Sequence, residues 1–264
     1  MRKPVIELIE EVILANYTEL HIELREITSG DALYHALLSG VAMGDGRVHS
    51  ALKRSGISEE EAEPIIAHLC QQGMLELQTP DIKSRKWMDE HPVSDKLYFT
   101  MPFMRFWFAF VSPLFKGVRE GNYDEVRERY ENRKQELIEL LFKQLSLELL
   151  KKSFEDDPIV EAGSYWDADV EIDILAKTAS GKVVAGSCRY SNAKMKKSEL
   201  TKLKESCAGI RVEPDISVLY AKQGFSTEVK SLKGENLRLF TLKSFKKLVE
   251  DIEPKELIGG FIAF

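Results

Sequence analysis

Two short stretches carry side chains whose types and spacing could do chemistry. The first is "ADVEIDILAK" (168–177). Read as a strand, it puts Asp169, Glu171 and Asp173 on one face by period two, with Val170, Ile172 and Ile174 opposite. The second is "KVVAGSCRYS" (182–191), which puts Ser187 and Arg189 on one face and Cys188 on the other. Carboxylates lined along a face are the donors a hard cation takes. Lys194, Lys196, Lys197, Lys202 and Lys204 follow within one helical stretch, and ammonium groups in that density suit phosphate contacts without sequence reading. The plainer readings are a solvated strand face for Asp169 and Glu171, and an amphipathic helix with Leu200 and Leu203 inward for the lysines.

Other chemistries find no support in the chain. His21, His35, His49, His68 and His91 are scattered without ligand spacing. No GxSxG elbow occurs, and "ASGKVV" lacks both the first Gly and the Ser or Thr of a phosphate loop, so no ATP site is read. Cys70, Cys188 and Cys207 form no CxxC, which argues against structural zinc and a disulfide framework and fits a reducing cytosol. The net charge of −6 confines any nucleic-acid surface to a local patch. That patch is expected in 182–247, where fifteen Lys and Arg stand against six Asp and Glu.

The elements that must position these groups are read from periodicity. Residues 1–28 predict one or two amphipathic helices. "DALYHALLSGVA", "GRVHSALKRSG" and "SEEEAEPIIAHLCQQG" predict three short helices, the last with a capping box from Ser58 to Glu61. "MLELQ" and "KLYFT" predict paired strands around a polar loop carrying Lys83, Arg85 and Lys86. Three helices and a hairpin is the winged helix-turn-helix order. Its third helix would normally enter the major groove, but 58–77 holds five Glu and no Lys or Arg, so packing or protein contact is the expected role. A helical connector is expected over 101–152, with Leu137, Leu140, Leu141, Leu145 and Leu149 on one side of a long helix. The apolar run 103–115 holds Arg105 and Pro113 and reads as core, so no membrane span is expected. Beyond it, strands are expected at 165–177, 182–190, 215–221 and 237–241, and helices at 196–207 and 242–250. The tail "ELIGGFIAF" is expected to dock on the same chain.

The succession "KLYFTMPFMRFWFAFVSP", long helix, "EIDILA", "GSCRY", "QGFS" resembles the C-terminal half of the prokaryotic, archaeal-type ATPase family, over roughly 30–250. The resemblance implies an α+β chain: a helical arm and winged helix over 1–100, a helical connector over 101–152, and a restriction-endonuclease-like PD-(D/E)xK domain over 153–264. The ATPase module is missing from this sequence. In that superfamily an Asp and the Glu of E-x-K hold Mg²⁺, and the Lys helps activate water. Asp173 matches the Asp. Ser187 stands at the Glu position and Arg189 at the Lys position, a hydroxyl for a carboxylate and a cation that does not readily deprotonate. Lys222 and the "QGFS" turn match another landmark and are read as structural.

The resemblance therefore implies a nuclease-fold protein with a degenerate motif at Asp173, Ser187 and Arg189. An Asp173–Arg189 ion pair is expected as the remnant of a metal site. The leading expectation is a non-cleaving protein that binds DNA through the five lysines. The alternatives are an active Mg²⁺- or Mn²⁺-dependent nuclease with relocated ligands (Asp173, Glu161, Glu171) and a non-enzymatic regulator acting on a protein partner such as a separate ATPase. No cofactor is expected unless the site is active.

Overall fold

Ser58 begins a helix as its spacing predicts: its Oγ accepts from the Glu61 N–H, and Glu61 returns the bond to the Ser58 N–H. In this computed structural model the described residues are 3–79, 94–167 and 169–250. The loop with Lys83, Arg85 and Lys86, His91 and the tail 256–264 lie outside them. The described chain divides into two compact units, 3–79 with 94–135, and 136–250. The division falls inside the long helix, so residues 101–152 are shared between the units.

The first unit opens with α1 (Val5–Ile9), a π-helical turn Glu10–Leu14, and α2 (Tyr17–Thr28). Ser29 ends α2 in the left-handed region, with φ 52°. Asp31 then caps α3 (Ala32–Ala42) by accepting from the Leu33 N–H. Next come α4 (Val48–Ser55) and α5 (Glu59–Gln71), whose start Ser58 caps. α3 and α4 meet closely at Gly40, where a Cβ would lie 2.6 Å from the Ala51 carbonyl. β1 (Leu75–Gln78) and β2 (Lys96–Phe99) pair antiparallel, and Arg47 adds a bridge to Lys96. α6 (Pro102–Phe106), a second π turn (Trp107–Val111), a 3-10 turn (Ser112–Leu114) and α7 (Phe115–Arg119) follow. Phe103, Phe106, Trp107, Phe108 and Phe110 are all buried, so the aromatic run is core. No helix among the described residues is long and apolar enough to cross a membrane.

The second unit is a five-stranded sheet covered on both faces. α8 (Asp124–Lys152) leads into β3 (Ile159–Trp166), β4 (Glu171–Thr178), β5 (Val183–Arg189), α9 (Lys197–Gly209), β6 (Ile216–Ala221), α10 (Thr227–Ser231) and β7 (Leu237–Thr241). The strands lie in sequence order, antiparallel from β3 to β5 and parallel from β5 to β7. β6 is an interior strand, flanked by β5 and β7 and buried at every position, which explains its unbroken apolar run. One core joins Phe142, Leu149 and Leu150 of α8 to Val184, Val218 and Tyr220. The other joins Leu200, Leu203 and Cys207 of α9 to Ala185 and Leu219.

Three expectations are corrected. The single strand expected at 165–177 is two strands, turned at Asp167, whose Oδ1 accepts from the N–H groups of Asp169 and Val170. The helix expected at 242–250 is a 3-10 segment, Leu242–Leu248. The sheet-facing side of α8 runs through Phe142, Ser146, Leu149 and Leu150, whereas Leu140, Leu141 and Leu145 are only half-buried. Ser146 can be wholly buried there because its Oγ donates to the Phe142 carbonyl at 2.7 Å.

Candidate functional site

The site lies where β4 and β5 part. Their ladder ends at the pair Ile174–Gly186, while β5 stays paired with β6 as far as Arg189–Ala221. Gly186 is required at this point. A Cβ there would lie 2.7 Å from Val218 Cγ2 and 3.0 Å from Ile174 Cβ. Beyond it the Cys188 N–H has lost its strand partner, and Asp173 Oδ2 accepts from it at 2.8 Å.

Asp173 owes its aim to a β-bulge. Gly163 opposes Leu175 but Tyr165 opposes Ile172, so β4 carries one extra residue between them. The bulge reverses the parity of the strand. Ile172 packs in the α9-side core and Ile174 in the α8-side core, which corrects the expectation that both lie on one face. Asp169 precedes the strand and takes no part in its alternation. Glu161 pairs with Lys177 at the other end of β4, away from Asp173.

The cleft that opens here has a volume of about 390 Å³ and is lined chiefly by polar groups. From α8, Lys143 Nζ reaches Asp173 Oδ1 at 2.6 Å and lies 3.7 Å from Glu171 Oε1. The Asp173 side chain is only 9% exposed, so both its oxygens are committed inside protein. Arg189 Nε donates to Glu199 Oε2 of α9 at 2.8 Å. Arg189 Nη1 is 3.9 Å from Asp173 Oδ2, so the expected Asp173–Arg189 pair exists only as a long contact. Lys143 and Glu199 are the true partners, and neither was singled out from sequence. Nothing in the helical pattern of α8 marks Lys143, because its partner is thirty residues on and is aimed by a bulge.

The electrostatics follow from this packing. Burial by itself would lower the Lys143 ammonium, but the charge and hydrogen bond of Asp173, with help from Glu171, more than offset it and the net shift is upward. The Cys188 thiol is pushed well above its ordinary range by burial and then by the Asp173 carboxylate. It is an inert core group beneath α8. Ser187 is 7% exposed, on the α9 side of β5.

A divalent cation does not fit these residues as they stand. Mg²⁺ and Mn²⁺ take hard oxygen donors with free lone pairs and surplus negative charge. Here Asp173 is closed by an ammonium and an N–H, Glu199 is closed by a guanidinium, and the third position is a buried hydroxyl. Among the described residues, no group of three or more His, Cys, Asp or Glu could hold a metal ion.

The five lysines are all exposed but do not share one face. Lys202 lines the cleft. Lys197 turns the other way and pairs with Glu228 of α10 at 3.3 Å. Lys194 and Lys196 lie before the first turn of α9, and Lys204 is on its outer side. Lys222 donates to Asn192 Oδ1 and sits 4.4 Å over the Tyr190 ring, which ties the turn at Gly224 to the end of β5.

Residues 107–202 match the model of DUF234, a family described as Archaea bacterial proteins of unknown function. That stretch contains Lys143, Asp173, Gly186, Ser187, Arg189 and Glu199. "Uncharacterized protein MJECL04" of Methanocaldococcus jannaschii is 23% identical over 154 residues, covering 56% of this chain and 33% of that protein. The chain thus spans about a third of the length of this relative. No solved structure matches it.

Proposed function

We propose that the second unit is a restriction-endonuclease-like domain in which a closed ion-pair network stands where a metal centre would be, and that the protein binds nucleic acid without cutting it. The observation that carries this reading is the double closure of the cleft: Lys143 on Asp173 and Arg189 on Glu199. Strand order and helix placement support the same reading, with α8 on one face, α9 on the other and the acidic bulge between. In the first unit, three helices, a hairpin and the Arg47–Lys96 bridge support a winged helix. Its α5 presents Glu59, Glu60 and Glu61 at its start, which disfavours phosphate contact there and favours a protein partner, for example a separate ATPase. Phosphate contact falls instead to Lys194, Lys196, Lys202 and Lys204.

The test is a gel with duplex and single-stranded DNA, in Mg²⁺, Mn²⁺ or EDTA, with Asp173→Ala alongside. The expected result is a retarded band and no cutting. Affinity should fall with salt at about 0.9 log unit per log unit for each phosphate neutralised on duplex. Replacing Lys194, Lys196, Lys202 and Lys204 by Gln should weaken retardation. Metal-dependent cutting lost in Asp173→Ala would overturn the reading and indicate an active site with relocated ligands. Neither cutting nor retardation would move the function to protein contacts.

A further inference from the structure

The first unit holds a groove that the proposed nucleic-acid role does not use. It has a volume of about 620 Å³, within the range that accommodates a small organic ligand. α2 supplies one wall with Tyr17, His21 and Arg25 at successive helical turns, and Ile22 beside them. α7 supplies the other with Phe115 and Arg119, again one turn apart. Ile22 and Phe115 leave 55% and 40% of their surface open to water, an unusual exposure for two apolar side chains facing one cavity.

The charge of this groove is one-sided. Two guanidinium groups line it and no carboxylate does, in a chain whose net charge is −6. Neither Arg25 nor Arg119 has an ion-pair partner among the described residues. Arg25 packs over the turn after α2. Gly30 sits there with φ 66°, and a Cβ would come 2.9 Å from Arg25 Nε, so the guanidinium lies where a side chain would otherwise be. The polar floor is equally fixed. The His35 ring is bound on one side by Thr28 Oγ1 at 3.2 Å and on the other by Ser112 Oγ at 3.0 Å. The His21 ring stacks on Tyr17 at 5.1 Å, and Tyr17 stacks on Trp107 at 5.6 Å. Apolar walls, a fixed ring floor and two unpaired forks select a specific ligand chemistry. A ligand that fits would set a flat apolar body between Ile22 and Phe115 and offer a planar anion to the guanidinium groups.

We propose that this groove is a binding site for a small organic monoanion, an aromatic carboxylate or a close relative. The burial of His21 and His35, which holds both below the usual histidine range, keeps the floor neutral and leaves the arginines as its recognising charges.

Calorimetric titration of the full chain with 2-naphthoate tests this, beside its neutral counterpart 2-naphthamide. Naphthoate is expected to saturate one site per chain, with naphthamide at least roughly tenfold weaker. Arg25→Gln and Arg119→Gln are each expected to lower naphthoate affinity by roughly tenfold and to leave naphthamide nearly unchanged. Both arginines are exposed, so the variants should melt as the parent does, and a circular dichroism melt checks that. Equal affinity for the acid and the amide would overturn the proposal. So would naphthoate binding that survives the double variant, or no saturation at millimolar ligand.

Discussion

At the scale of single residues, Asp173 decides the chemistry of the cleft. A carboxylate this buried is costly unless its charge is met, and Lys143 meets it. Lys143→Ala should therefore destabilise the protein by about 2 kcal/mol, less than for a wholly buried pair because the ammonium is 42% exposed and screened. Asp173→Asn keeps an oxygen for the Cys188 N–H and should cost about 1 kcal/mol. The double variant should cost less than the sum, a coupling that urea melts would measure. The pH dependence has a fixed sign. Lys143 is raised in the folded state above its usual 10.5, so its contribution is complete below that pH and is lost as pH rises through the folded value. The gap between parent and Lys143→Ala should shrink only in strong alkali. Tyr220 makes the opposite case, since its hydroxyl is buried with no hydrogen-bond partner among the described residues. Tyr220→Phe should be neutral or stabilise by up to about 1 kcal/mol, read from the same melts.

At the scale of elements, the parting of β4 from β5 builds the cleft, and Gly186 permits it. Gly186→Ala should cost about 1–3 kcal/mol, because the new methyl meets Val218 and Ile174 and neither can leave the core. A loss confined to the melting temperature, with no change in DNA retardation, would separate this packing role from binding. The elements were also where reading from sequence succeeded and failed. The capped helices around Ser58 and Gly56, the paired strands near 75 and 96, and β5 to β7 follow directly from caps and apolar runs. Nothing in the sequence separates β3 from β4, because the turn between them is made by a single Asx side chain, Asp167, with neither Gly nor Pro to mark it. The faces of β4 do not follow period two because a bulge leaves no periodic trace: Asp173 and Ile174 share one span of the ladder, and every parity beyond them reverses. Arg189 and Ser187 could be placed on one side of β5 because that strand pairs without interruption.

At the scale of the whole molecule, charges from α8, β4, β5 and α9 meet in one cleft of the second unit. Ser187 and Arg189 stand out in the sequence only through the resemblance, as the residues at its expected E-x-K positions. The ion-pair network of the cleft is not legible there, because it draws Lys143 from a helix thirty residues earlier and Glu199 from the helix after. The basic surplus of 182–247 was legible as a count but not as a surface, since the lysines of α9 divide between the cleft and α10. The most direct test of the central claim is a Mn²⁺ titration of the full chain followed by electron paramagnetic resonance, with Asp173→Ala and Lys143→Ala beside it. The parent is expected to leave the free Mn²⁺ signal undiminished at millimolar ion, because Lys143 already occupies Asp173. Stoichiometric loss of that signal in the parent, abolished by Asp173→Ala, would contradict it.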